Sequence, residues 1–208
     1  MYPYKATYTP AATSAAGLAS AVAWAAGGYA LSATTMADSL AHIVTVGGLA
    51  ATDHSAKTFT ITGTDADGIA QTEGIAGPNG VATVSSTKYF KTVSSITVSS
   101  TTGADTFNLG WTAVAVSFTF PINWRQHNFG VSLGLVITGT ISVTVQHCFE
   151  PIHESTVPAG LTWWSHATLV NATATADSNY AFPVTATRLR INSVTATATV
   201  TQHIVQGN

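Results

Sequence analysis

The chain contains 208 residues, of which 46% are apolar and 8% are charged, and its formal net charge is −2 with histidine neutral. A net charge this close to zero leaves no basic field to hold nucleic-acid phosphates, so we expect no nucleic-acid partner. A free soluble monomer normally carries many more charges on its surface, which predicts that neighbouring molecules cover much of this one. Threonine and valine are frequent while leucine, lysine and glutamate are scarce, and this balance favours strands over helices.

The first long segment, residues 11–31, carries no charge and is long enough to cross a bilayer. It consists mostly of alanine, serine, threonine and glycine, which insert weakly, and it has no run of leucine, isoleucine or phenylalanine. It also lacks the basic start of a secretion signal. We therefore expect no membrane span and interpret the segment as paired short strands.

Short alternating segments then follow one another, separated by glycine, aspartate, asparagine and proline. Including one before the uncharged segment, the predicted strands are 4–9, 39–46, 57–64, 68–75, 80–86, 89–100, 112–120, 130–140, 141–149, 161–166, 184–194 and 195–205. Regular spacing of this kind is typical of a sandwich or barrel. The sequence therefore predicts an all-β fold of antiparallel β-sandwich or jelly-roll-like type, with two packed units. We place the boundary between residues 1–111, with an apolar N-terminal arm, and residues 112–208.

The most acidic stretch, GTDADGIAQTEGI at residues 63–75, raises the question of a calcium loop or a catalytic carboxylate cluster. A calcium loop of the EF-hand kind needs a glutamate at its twelfth position, and counting from Asp65 places Ala76 there. Asp67 followed by Gly68 instead supplies the positive φ angles of a tight hairpin. We predict a turn, with weak calcium binding and catalysis by Asp65, Asp67 and Glu73 as the alternatives.

The single cysteine, Cys148, excludes an internal disulfide and is interpreted as a small core residue. Its neighbour His147 points to the opposite face of the same strand, which argues against a catalytic pair. The local cluster HCFEPIHE brings His147 close in sequence to Glu150, His153 and Glu154. A metal-dependent enzyme of the cupin kind is one interpretation of this cluster, but a solvated loop explains it equally well. No nucleophile elbow or phosphate loop is present, so we predict no enzyme, no catalytic residues, no metal and no cofactor.

The candidate interface residues lie near the end of the chain. Trp163 and Trp164 are adjacent on a short predicted strand and must face opposite ways, so one of them needs a partner or a groove. A protein contact, internal packing and a sugar are the alternatives for that ring. Arg188 and Arg190 are two apart and share one strand face, where they suit a carboxylate across an interface.

Three runs of the sequence carry a resemblance to a known class of proteins. Residues 63–111, which read GTDADGIAQTEGIAGPNGVATVSSTKYFKTVSSITVSSTTGADTFNLGW, resemble a stretch of small virion structural proteins of tailed bacteriophages. Residues 122–151 (INWRQHNFGVSLGLVITGTISVTVQHCFEP) and 162–194 (TWWSHATLVNATATADSNYAFPVTATRLRINSV) resemble another segment of such proteins. The resemblance brings no catalytic residues with it.

What the resemblance implies is a β-rich virion component that is assembled in the host cytoplasm as a homo-oligomer. The expected task is that of a capsid decoration, or cement, protein that binds the major capsid protein or other virion proteins. A neck or tail ring accessory protein is the first alternative. A carbohydrate-binding adhesin, with Trp163, Trp164 or Trp124 as its platform, is the second. The apolar N-terminal segment is then an arm for a neighbouring subunit.

Overall fold

The computed structural model describes residues 3–25, 28–125, 129–152, 157, 160–195 and 197–207. Fifteen strands, and no helix, form within these residues. All strand pairs with a described register are antiparallel, which confirms the predicted all-β, sandwich-like fold. None of the described residues belongs to a helix long and apolar enough to span a membrane.

The chain divides into two compact units, residues 1–12 with 116–208 and residues 13–115. We call the first the jelly-roll unit and the second the inserted unit. The strands of the jelly-roll unit are β1 Tyr4–Tyr8, β9 Phe120–Pro121, β10 Val131–Thr138, β11 Ile141–Cys148, β12 Trp164–Ser165, β13 Ala176–Tyr180, β14 Ala186–Val194 and β15 Thr199–Gln206. The strands of the inserted unit are β2 Ser14–Ala23, β3 Ala41–Gly48, β4 Thr58–Thr64, β5 Ala70–Ala76, β6 Thr83–Phe90, β7 Thr92–Val98 and β8 Thr106–Val116.

The jelly-roll unit takes its name from the way its described strands pair. Strands β1-β15-β10-β13 form one sheet, and β9-β14-β11-β12 are neighbours in the other. Counted within the unit, the first strand pairs with the last, the second with the seventh, the third with the sixth and the fourth with the fifth. This nested pairing of eight antiparallel strands in two sheets is the topology of a jelly roll.

Apolar side chains at alternate positions along the strands fill the space between the two sheets of the jelly-roll unit. On β11, Val143 and Val145 are fully buried, and on β14 so are Leu189 and Ile191. These side chains all point to one face of their sheet because successive strand residues face opposite ways. The other sheet contributes Val131, Leu133, Leu135, Val200 and Ile204, all nearly or fully buried.

The inserted unit is built from a sheet containing β2, β8, β3 and β6 and from a three-stranded sheet, β5-β4-β7. Its core holds the rings of Tyr29, Phe59 and Phe107, whose centroids lie 5.2–5.8 Å apart. Leucine, valine and isoleucine side chains surround them, among them Leu18, Val44, Ile61, Ile96 and Leu109.

The division of the chain differs from the predicted one in two respects. The boundary falls between residues 115 and 116 rather than 111 and 112, and residues 1–12 belong with the later residues. The reason is that β1 pairs with β15, from Tyr4 opposite Ile204 to Tyr8 opposite Val200. The predicted N-terminal arm is also not free, because β2 pairs with β8 and buries Leu18 completely.

The acidic stretch forms the turn between β4 and β5, as predicted. The Asp65 carboxylate accepts hydrogen bonds from the backbone N–H groups of Asp67 and Ile69, each at 2.9 Å, and Gly68 has φ +83°. Farther along, Glu73 accepts hydrogen bonds from the backbone N–H groups of Thr87 and Lys88, at 2.8 and 2.9 Å. The carboxylates of Asp65 and Glu73 therefore hold the turn and join β5 to β6.

Candidate ligand-binding surface

Three exposed aromatic side chains of the jelly-roll unit lie next to one another. Phe149, Trp164 and Phe182 are 46%, 43% and 50% exposed. The ring centroid of Phe149 lies 5.1 Å from that of Trp164 and 6.2 Å from that of Phe182. Contiguous exposed rings are unusual on a free surface and mark a place where something binds. We call these three residues the aromatic platform.

The strands explain why the rings meet. Phe149 directly follows the last residue of β11, so it continues the row of Val143, Val145 and His147 beyond the end of the sheet. Trp164 lies opposite His147 in the β11–β12 pair and therefore points to the same side. Phe182 follows β13 by two residues. The platform is thus the exposed continuation of the row that fills the sandwich core.

Buried aromatic and imidazole rings support the platform from below. The His147 ring lies 5.0 Å from Phe149 and 6.1 Å from Phe182, and Nδ1 of His147 is 3.1 Å from the Tyr180 hydroxyl. The Tyr180 ring also contacts Phe182, at 5.8 Å, and His166, at 4.8 Å. His166 is held in turn through Nε2, 3.1 Å from the carbonyl oxygen of Asn179. These contacts fix the platform rings before any ligand arrives.

Burial also decides the charge of the supporting groups. Burial, and secondarily the nearby His166, holds the pKa of His147 below its usual 6.5. Burial raises the pKa of the Tyr180 hydroxyl. His147 and Tyr180 are therefore both neutral at pH 7, and neither brings a charge to the platform.

Trp163 lies on the other side of its strand, as the alternation predicts. It packs against Cys148, Ile152 and Ala186, and the Arg188 guanidinium carbon lies 4.1 Å from its ring centroid. Cys148 is fully buried, which confirms the prediction of a core thiol, and burial raises its pKa. The structure therefore joins Trp163 to Arg188 and separates both from Trp164.

The two arginines share one face of β14, as their spacing predicts. Arg188 lies opposite Gln146 and donates from Nε to Oε1 of Gln146 at 2.9 Å. Arg190 lies opposite Thr144, and its Nε is buried without a hydrogen-bond partner. Both arginines therefore lie on the face of the sheet opposite to the row that leads to the platform. Their role at an interface stays a prediction.

The predicted histidine and glutamate cluster is not assembled by the described residues. His147 points into the core, and Glu150 Oε1 accepts a hydrogen bond from Thr162 N–H at 2.9 Å. Hydrogen bonds from Thr162 hold the pKa of Glu150 below its usual range. His153 and Glu154 lie outside the described residues. Within the described ranges no group of three histidine, cysteine, aspartate or glutamate side chains is placed to hold a metal ion.

Two histidine–aspartate pairs in the inserted unit were not expected from the sequence. Nε2 of His42 lies 2.8 Å from Asp38, and its Nδ1 lies 2.8 Å from the carbonyl oxygen of Thr112. Nε2 of His54 lies 3.0 Å from Asp105. His42 is fully buried with both nitrogens occupied, so it has no free nitrogen to activate a nucleophile. We assign the His42–Asp38 pair to the packing of the inserted unit.

Comparison of the chain with protein-family models, with curated proteins and with solved structures gave no match. The function proposed for this chain therefore rests on its residues and its strand topology.

Proposed function

We propose that the protein is a non-enzymatic structural protein of a bacteriophage virion. Its task in this proposal is capsid decoration: as a homo-oligomer it binds the major capsid protein, bridges adjoining subunits and stabilises the shell. The phage setting comes from the resemblance of residues 63–111, 122–151 and 162–194 to small virion proteins of tailed phages. The observation that carries the proposal is the nested strand pairing of the jelly-roll unit.

The jelly roll supports a structural task without deciding it alone. This architecture occurs in viral capsid proteins and also in lectins and cupins, and a fold by itself does not fix a function. What favours the structural task is the low charge of the chain, with only seven basic and nine acidic residues. Surfaces with few charges lose little hydration free energy when neighbouring subunits cover them.

The division into two units supplies a physical mechanism for bridging. Each unit is compact and buries its own apolar side chains, so one chain offers two different surfaces to a repeating lattice. A capsid repeats each binding site by symmetry, and contacts at several subunits combine as avidity, so that modest contacts at each subunit still hold the shell together. Arg188 and Arg190, which share one face of β14, are the candidates for a carboxylate on the capsid side.

Copy number per particle tests the proposal most directly. We would purify phage particles from cells that produce the protein and measure its ratio to the major capsid protein by quantitative mass spectrometry. Decoration of a lattice predicts hundreds of copies per particle. About six or twelve copies would indicate a neck or tail ring instead, because those positions have low cyclic symmetry. Absence from purified particles would reject the virion assignment altogether.

A further inference from the structure

We propose that the aromatic platform is a binding site for a neutral saccharide, which stacks on Trp164, Phe149 and Phe182. The inference rests on the surface geometry of the jelly-roll unit and does not require the capsid assignment. A pyranose ring has a face of C–H groups that packs on the electron-rich face of an aromatic ring, while its hydroxyl groups point outward to polar partners.

The spacing and support of the rings suit a rigid sugar ring. Centroid distances of 5.1 and 6.2 Å place the three rings in a row with Phe149 in the middle, and neighbouring ring planes are tilted by 56° and 35°, so each ring offers its own stacking face. His147 contacts two of these rings from below, and its hydrogen bond to Tyr180 fixes its own position. A surface that is already ordered loses little conformational entropy when a ligand binds, which favours a small ligand with few contacts.

The size of the platform argues against a folded protein as the occupant. An aromatic side chain presents roughly 200 Å², and these three are each about half exposed. The platform therefore offers on the order of 300 Å². A stable protein interface covers roughly 800 Å² on each partner. The area matches one or two sugar rings and falls well short of a protein contact.

The edge strand beside the platform argues against an extended peptide. Strand β12 ends its sheet in the described part of the chain, but it consists only of Trp164 and Ser165. A peptide that adds a strand to a sheet needs a longer edge to form its main-chain hydrogen bonds. The open edge of β12 is instead suited to hydrogen bonds with single sugar hydroxyl groups.

The charges around the platform favour a neutral saccharide over an acidic one. His147 is neutral at pH 7 because burial lowers its pKa. Arg188 lies with Trp163 on the other side of the sheet. An acidic sugar needs a cation or several converging N–H groups, whereas the buried side chains that contact the platform rings, His147 and Tyr180, carry no charge at pH 7.

The test uses the full-length protein on an array printed with neutral and sialylated oligosaccharides, followed by calorimetric titration with the best neutral one. Two variants remove platform rings, Trp164→Ala and Phe182→Ala. Phe118→Ala is the matched control, because Phe118 is also an exposed aromatic residue of the same unit and its ring contacts Tyr4 rather than a platform ring. We expect binding to neutral glycans, a loss of about tenfold or more in affinity for each platform variant, and no change for the control.

Three results would overturn the inference. The first is no glycan binding by the full-length protein at millimolar oligosaccharide. The second is binding restricted to sialylated glycans, and the third is binding that both platform variants retain. Circular dichroism of each variant confirms that the sheets are intact. If Trp164→Ala binds particles less well while the parent protein binds no glycan, the platform is a protein contact and the saccharide inference is wrong. Copy number per particle is measured independently, so either proposal can fail alone.

Discussion

Individual buried residues make the sharpest predictions, because few buried side-chain polar atoms lack a hydrogen-bond partner in the part of the chain that the structure describes. His147 is 6% exposed, and its pKa lies below the usual 6.5. The folded state therefore binds a proton at this site less tightly than the unfolded chain does. The stability contributed by the neutral ring is fully present above pH 6.5 and is lost as pH falls from there through the lower folded pKa.

We accordingly expect the free energy of unfolding to fall as the pH is lowered from 7.5 to 5. We expect His147→Asn to make this dependence of stability on pH less steep. Asparagine retains a polar group near the position of Nδ1, which faces Tyr180 at 3.1 Å, but it does not titrate. Urea unfolding followed by circular dichroism at several pH values measures the slope for both proteins. Identical slopes would show that another group controls the acid sensitivity.

Gln202 is the second residue that predicts a measurable change. It lies on β15, is 2% exposed, and its Nε2 has no hydrogen-bond partner. A buried donor without an acceptor costs free energy, and leucine of similar size removes that cost. We expect Gln202→Leu to raise the free energy of unfolding by about 1 kcal/mol, measured by urea unfolding.

Gln206, on the same strand, supplies the matched control for Gln202. It accepts a hydrogen bond from Asn123 N–H at 3.2 Å and donates one to the Asn123 carbonyl oxygen at 2.6 Å. Gln206→Leu should therefore lower stability. A loss of stability in Gln202→Leu as well would mean that Nε2 of Gln202 is satisfied in solution.

At the scale of the element, β2 depends on one glycine of its partner strand. A Cβ atom on Gly110 would lie 1.9 Å from the carbonyl oxygen of Ser14 and 2.5 Å from the carbonyl carbon of Ala15. Backbone atoms cannot move aside without breaking the pairing of β2 with β8. We expect Gly110→Ala to lower the free energy of unfolding by about 2 kcal/mol and to speed amide exchange along β2.

Gly134 on β10 provides the control for Gly110. A Cβ atom there would meet only the His203 Cβ atom at 3.5 Å, which is an ordinary contact. Gly134→Ala should therefore change stability little. Equal effects of the two substitutions would show that close packing against β2 is not the cause.

Local patterns predict strands well where one face is buried and poorly where pairing alone makes the strand. The alternation of residues 141–149 predicted β11 almost to its ends, Ile141–Cys148. Strand β13, Ala176–Tyr180, was missed because its sequence ADSNY has no apolar alternation, and it forms by pairing with β10. The predicted strand 89–100 is two strands, β6 and β7, which belong to different sheets.

The platform was only partly accessible to sequence reasoning. Adjacent tryptophans must face opposite ways, which correctly predicted that one of Trp163 and Trp164 lacks a core position. Phe149 and Phe182 were not identified, because they join Trp164 only through the pairing of β11 with β12 and the turn after β13. The one local signal was that Phe149 continues the alternation of VTVQHCF past the strand end.

At the scale of the whole molecule, two cores within one chain predict more than one unfolding step. Each compact unit buries its own set of apolar side chains. We expect calorimetry to show two transitions, and we expect Gly110→Ala to lower only that of the inserted unit. Gln202→Leu should raise only that of the jelly-roll unit. A single transition that both variants shift as a whole would show that the units unfold together.

The pairing of β1 with β15 also has a consequence for synthesis. Strand β1 ends at Tyr8 and its partner β15 begins at Thr199, so residues 9–198 must be translated after the first strand before its partner exists. All strands of the inserted unit have been synthesised much earlier, because they lie before residue 117. Domains generally fold as they leave the ribosome, the earlier-synthesised one first. A chain interrupted by premature termination therefore leaves β1 without its partner and cannot complete the jelly roll. The jelly-roll unit can therefore close only after β15 has been synthesised, whereas the inserted unit can fold earlier.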